Sequence, residues 1–145
     1  MEFFNKIGKV AIGSRLRMLT GKLTEDAAKI YKLYEIDFQP KWFPVLYALI
    51  KGEAKTVTAV AKEIGHSHPS VSKIISEMIS KGYLADKKDK TDGRKNEVAL
   101  TKKGLKIAEK IQDQLIDVEA AIEELFAQTQ NNLLEGFGKW EVVLG

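Results

Sequence analysis

The chain has 145 residues, 44% of them hydrophobic and 30% charged, the balance of a soluble globular protein with a real core and not of a disordered one. It contains no cysteine, which excludes disulfides, thiolate metal sites and thiol catalysis, and its longest apolar run, residues 42–50, is too short to span a bilayer. The net charge of +3 is uneven, with ten Lys/Arg against six Asp/Glu in residues 1–61, the same in 62–104, and three against eight in 105–145.

A basic body with an acidic C-terminal segment points to a polyanion partner on one face, although a charge run is more often a solvated surface. Phe3, Ile7, Val10, Leu16, Leu19, Leu23, Ala27, Ile30, Tyr31 and Tyr34 recur at helical spacing. The expectation is one long helix, bent if anywhere near Gly21, where an interior glycine weakens it. Lys6 and Lys9 interrupt the start of the chain, which therefore lacks the apolar core of a signal peptide. A cytoplasmic protein is expected.

Residues 36–39 connect this helix to a second one, because Pro40 disfavours helix in the residue before it. That second helix is expected from Pro40 to about Lys51, closed by Gly52. Trp42, Phe43, Val45, Leu46, Leu49 and Ile50 make it strongly apolar. Two readings stand side by side: a buried scaffold helix, or a helix whose Trp42, with Tyr31, Tyr34 and Phe38, lines a pocket for a small-molecule effector.

The organising stretch follows. Val57, Val60, Ala61 and Ile64 fall at i, i+3, i+4 and i+7, one face of a short helix, and Gly65 supplies its left-handed end. Ser67 is a good N-cap, and Pro69 sits in a first turn, where a missing N–H costs nothing. Val71, Ile74, Ile75, Met78 and Ile79 repeat the helical spacing up to Gly82. Two short helices with polar residues opening the second are how a protein offers a helix to the DNA major groove.

Residues 83–88 and 94–100 then read as two strands joined through Asp92-Gly93, a strong turn dipeptide, with Val98 and Leu100 on one face and Glu97 and Ala99 on the other. The hairpin is basic. Thr101 caps a last helix expected to run to about Leu134, in which Ala108, Ile111, Leu115, Val118, Ile122 and Leu125 repeat at spacings of 3, 4, 3, 4 and 3, as in a coiled-coil seam. A helix of that length overruns so small a domain. Pairing with the equally long first helix of a second copy, in a two-fold homodimer, is the economical solution.

The expected fold is thus mainly α with a small β-wing: a winged helix-turn-helix over residues 40–101, with dimerisation helices over 1–35 and 102–145, in one domain. The sequence carries no paired-carboxylate site, nucleophile elbow, phosphate loop or metal cluster; no enzyme and no cofactor are expected. His66 and His68 alone fall short of a metal's three or four ligands.

The arrangement resembles the MarR family of bacterial transcriptional regulators across essentially the whole chain. Asp92-Gly93-Arg94 stands where that family has Asp-x-Arg, and Leu100-Thr101-Lys102-Lys103-Gly104 matches its Leu-Thr-x-x-Gly. Ile64-Gly65-His66-Ser67 followed by Val71-Ser72 is similar to its turn and recognition helix, and Lys81-Gly82-Tyr83-Leu84 to its entry into the wing. Trp42-Phe43-Pro44 and Gly13-Ser14-Arg15-Leu16 also resemble the regulatory half of a subgroup fused to an acetyltransferase. The resemblance implies a homodimer that places two recognition helices in successive major grooves of double-stranded DNA, on an inverted-repeat operator.

The residues expected to carry binding are His68, Ser70, Ser72 and Lys73 on the front of the recognition helix. There Ser and Lys reach base edges or phosphates. Ser67 serves as cap, as DNA contact, or as both. On the wing, Lys87, Lys88, Lys90 and Lys95 face phosphates, and Arg94 suits a narrow minor groove. A winged helix used for protein–protein contact and the regulatory part of a fused acetyltransferase are the alternatives.

Overall fold

The computed structural model describes residues 2–88, 96–129 and 133–144. The chain divides into two compact units, Met1–Ala108 and Glu109–Gly145. In order the elements are α1 (Glu2–Ile7), a 3₁₀ turn (Gly8–Ala11), α2 (Ile12–Leu33), a 3₁₀ turn (Pro40–Trp42), α3 (Phe43–Leu49), β1 (Lys55–Thr56), α4 (Val57–Ile64), α5 (His68–Ser80), β2 (Leu84–Lys88), β3 (Asn96–Leu100), α6 (Lys102–Thr129) and α7 (Leu133–Leu144). The fold is mainly helical with a small antiparallel sheet, as expected.

The first unit is built on a core that includes Trp42, Val45, Leu46 and Leu49 from the second helical segment, Val60, Val71, Ile75 and Met78 from the helix-turn-helix, and Tyr83, Leu84 and Val98 from the sheet. These are the apolar positions whose spacing marked α3, α4 and α5, so the core faces are those the periodicity implies.

Several elements depart from expectation. The N-terminal segment is interrupted at Gly8, whose φ is +76°, and not at Gly21, through which α2 continues as helix. A left-handed residue stops the helical ladder, whereas an interior glycine with ordinary dihedrals only weakens it. The second helix opens as a 3₁₀ turn in which the Phe43 N–H bonds to the Pro40 carbonyl. Pro44 has no N–H to give that carbonyl, so regular α-helix begins only at Phe43.

The sheet has three strands and not two, in the order β1-β3-β2. The two-residue β1, too short to show a period, pairs Lys55 with Val98 and Thr56 with Glu97. The β2–β3 ladder runs from Leu84↔Leu100 to Lys88↔Asn96. As the central strand, β3 buries both Val98 and Ala99, so the simple alternation expected of a two-stranded wing is lost. Finally, α6 ends at Thr129 and α7 follows, in place of one helix to Leu134.

Candidate nucleic-acid interface

The second helix of the helix-turn-helix, α5, turns Val71, Ile75 and Met78 inward with at most 3% of their surface exposed. That stripe fixes what the rest of the helix presents. Ser67, His68, Ser70 and Lys73 are exposed and Ser72 is half-buried. Ser76, one turn beyond Lys73, is exposed too, and its hydroxyl donates to the Ser72 carbonyl at 2.9 Å.

Ser67 occupies the N-cap position with φ −66° and ψ 144° but makes no capping bond to the backbone. Pro69 has removed one of the two N–H groups a cap can take, and the Ser67 hydroxyl donates instead to Ser70 Oγ at 3.0 Å. His66 Nδ1 lies 2.9 Å from the Ile64 carbonyl. In the wing, Lys87 is exposed on β2 opposite Glu97, and Lys88 ends that strand. Lys90, Arg94 and Lys95 lie outside the described residues.

The end of α5 and the entry to the wing are knitted to two other elements. Gly82, at φ +75°, closes α5 with the Gly82 N–H on the Ile79 carbonyl and the Tyr83 N–H on the Met78 carbonyl, the two bonds of a Schellman ending. The Tyr83 hydroxyl donates to the Asp37 carbonyl at 2.5 Å, and Lys81 Nζ meets the Asp37 carboxylate at 2.7 Å. That carboxylate holds the Lys81 ammonium above its usual range. Burial pushes the Tyr83 phenol up.

Thr101 caps α6: its Oγ1 accepts the Gly104 N–H at 3.0 Å and donates to the Gly82 carbonyl at 2.6 Å. A Cβ on Gly104 would stand 2.1 Å from the Tyr83 carbonyl oxygen. The Leu-Thr-x-x-Gly pattern is therefore a junction at which helix start and wing start press backbone against backbone.

One cluster on this helix escaped the sequence. Glu77, on α5, receives the Trp42 indole N–H at 2.8 Å and Lys41 Nζ at 2.9 Å and 2.7 Å on its two oxygens. Lys41 first, then the indole, holds this carboxyl below the usual carboxylate range. The partners are 35 and 36 residues apart. The only sequence signal was a glutamate, flanked by Ser76 and Met78, on an otherwise polar-front, apolar-back helix.

Of the four aromatic residues considered for a pocket, Tyr31, Phe38 and Trp42 pack in series. Tyr31, Phe38, Trp42 and Tyr83 form a chain of edge-to-face contacts with centroids 5.5–6.2 Å apart. Phe38 and Trp42 are buried in it and Tyr34 is more than half exposed. An open depression of about 390 Å³ lies alongside, lined by Ala28, Lys32, Glu35, Ile36, Asp37 and Phe38, so that of the four only Phe38 reaches it.

Comparison with known proteins places this geometry. The MarR family profile matches residues 36–95, from the connector through the wing. No curated protein matches the chain by sequence. Among solved structures, it is similar to the Staphylococcus aureus MepR–DNA complex at 20% identity and a TM-score of 0.71, covering 88% of this chain and 96% of that one. It is similar to the transcriptional repressor CouR bound to a 23-mer DNA duplex at 18% identity and a TM-score of 0.76, covering 93% and 96%. A MarR/EmrR family transcriptional regulator from an Acinetobacter species aligns at 19% identity and a TM-score of 0.75, covering 92% and 94%.

Proposed function

We infer that the chain is a MarR-family DNA-binding transcriptional regulator that acts as a homodimer in the cytoplasm, a reading supported by the MarR family profile over residues 36–95. The observation that carries the reading is α5 itself. Val71, Ile75 and Met78 are buried in the core, while Ser70, Lys73 and Ser76 are exposed on a helix preceded by a tight turn and followed by the wing strand with Lys87 and Lys88. Small hydroxyls and a lysine on such a helix suit base edges and phosphates. The same fold is seen in MepR and CouR bound to DNA.

Pairing is supported by the terminal helices. The 22-residue α2 buries none of its residues, although Met18, Leu19, Leu23, Ile30 and Leu33 are apolar and exposed on it. An amphipathic helix of that length gains its stability by burying such a face. In the second unit Ile116, Ile122 and Leu125 on α6 and Val142, Val143 and Leu144 on α7 are exposed as well. Two-fold pairing would set the recognition helices about one turn of B-DNA apart, ~34–36 Å, and so call for an inverted repeat.

Selection of bound genomic fragments followed by sequencing tests this reading. The expected yield is an inverted repeat near promoters. Recovery with no shared sequence and no enrichment over a DNA-free control would count against it. With the operator known, Arg94→Ala is expected to weaken binding by about 1–3 kcal/mol without unfolding the protein. Unchanged affinity at moderate salt removes the wing arginine from the site.

A further inference from the structure

Glu77 and Lys73 stand four residues apart on α5, the spacing at which two side chains meet on a helix surface. A glutamate there would ordinarily pair with the lysine and present a negative charge beside the DNA. Lys73 nevertheless makes no hydrogen bond or ion pair among the described residues, while Glu77 has both oxygens occupied by Lys41 and Trp42. Lys41 and Trp42 belong to the 3₁₀ turn Pro40–Trp42, and Trp42 is 1% exposed, so the indole N–H is a fixed donor. The ammonium beside it neutralises the carboxylate.

The geometry points to Lys41 and Trp42 as positioning residues for DNA binding: by holding Glu77 they tie the recognition helix to the turn before α3 and leave Lys73 unpaired for the phosphate backbone. This rests on the regulator reading above. Lys73 adds to the lowering of the Glu77 carboxyl by its charge, after Lys41 and the indole. When Lys41 or the indole N–H is removed, Glu77 regains its capacity to take Lys73 and withdraws it from the phosphates.

The test is binding to the selected operator duplex, and to a mixed-sequence duplex of the same length, over a salt series. Lys73→Gln is expected to weaken both and to lower the slope of log affinity against log salt by about one. Lys41→Met and Trp42→Phe, which keeps a ring in the core, are each expected to weaken binding about three- to fivefold, the range of a partly exposed ion pair. Adding Glu77→Gln to Lys41→Met should restore affinity, a rescue no purely structural role predicts. Lys41→Met should also have no further effect in the Lys73→Gln background.

Effects of Lys41→Met and Lys73→Gln that multiply would overturn the proposal, since Lys41 would then reach DNA by itself. Failure of Glu77→Gln to rescue would also overturn it. A wild-type protein that binds neither duplex at low salt sinks the regulator reading together with this one. Normal wild-type binding with Lys73→Gln unchanged sinks this one alone.

Discussion

Gly104 shows how much one missing side chain can decide. It lies at the third position of α6, where the Thr101 cap takes its N–H, and a Cβ there would strike the Tyr83 carbonyl oxygen and the Leu100 side chain. Gly104→Ala is expected to cost about 1–3 kcal/mol, read as a lower urea midpoint with unchanged slope. Alanine is intrinsically the better helix former, so a stabilised variant would show that the backbone contact is not as close as described. Glu77 carries the pH dependence of this region. Its carboxyl is held below the ordinary value of 4.5 by Lys41 and Trp42, so its contribution is present above the ordinary carboxylate range and is lost as pH falls through its own lower pKa. Stability should therefore decline on acidification below the usual glutamate range, and Glu77→Gln should flatten that part of a stability-against-pH curve.

Helix endings recur as one device. Beside α5, helix α2 closes with the Glu35 N–H on the Lys32 carbonyl and the Ile36 N–H on the Tyr31 carbonyl, the same Schellman pair of bonds. Its left-handed position is held by Glu35 at φ +55° and not by a glycine. An L side chain there costs about 1–2 kcal/mol, partly offset by the greater freedom of glycine in the unfolded chain. Glu35→Gly is expected to raise stability by about 0.5–1 kcal/mol, a gain visible in thermal unfolding. A loss would mean that the Glu35 side chain contributes more than its backbone costs. The glycine at the end of α5 announced its turn in the sequence; the glutamate at the end of α2 did not, because nothing local distinguishes a glutamate that takes the left-handed position just before the buried Ile36.

At the scale of the molecule, α2 buries none of its residues and exposes a row of apolar ones. On the homodimer reading, the exposed apolar row of α2 is an interface, and a charge placed in it should separate the copies while sparing the fold. Leu23 is 68% exposed, so Leu23→Lys is expected to leave the helical circular-dichroism signal intact. Sedimentation should shift toward monomer, with operator affinity falling because two half-sites no longer act together. A variant that stays dimeric would place the interface elsewhere.

What the sequence determined by itself was the helix-turn-helix and the hairpin, because both are written locally. Apolar spacing in 57–64 and 71–79 marks two buried stripes, and glycine and turn residues mark their ends. The polar front of α5 followed by subtraction from its core face. What only the tertiary structure decided joins residues far apart in the chain. The β1–β3 pairing is one case, the aromatic chain from Tyr31 to Tyr83 is another, and the closure of Lys41 and Trp42 on Glu77 is the third. Periodicity reports which face of an element is buried; it carries no information about which distant carboxylate a buried indole N–H will find. That pairing exists only once α5 and the turn before α3 have packed together and the indole, cut off from water, requires an acceptor.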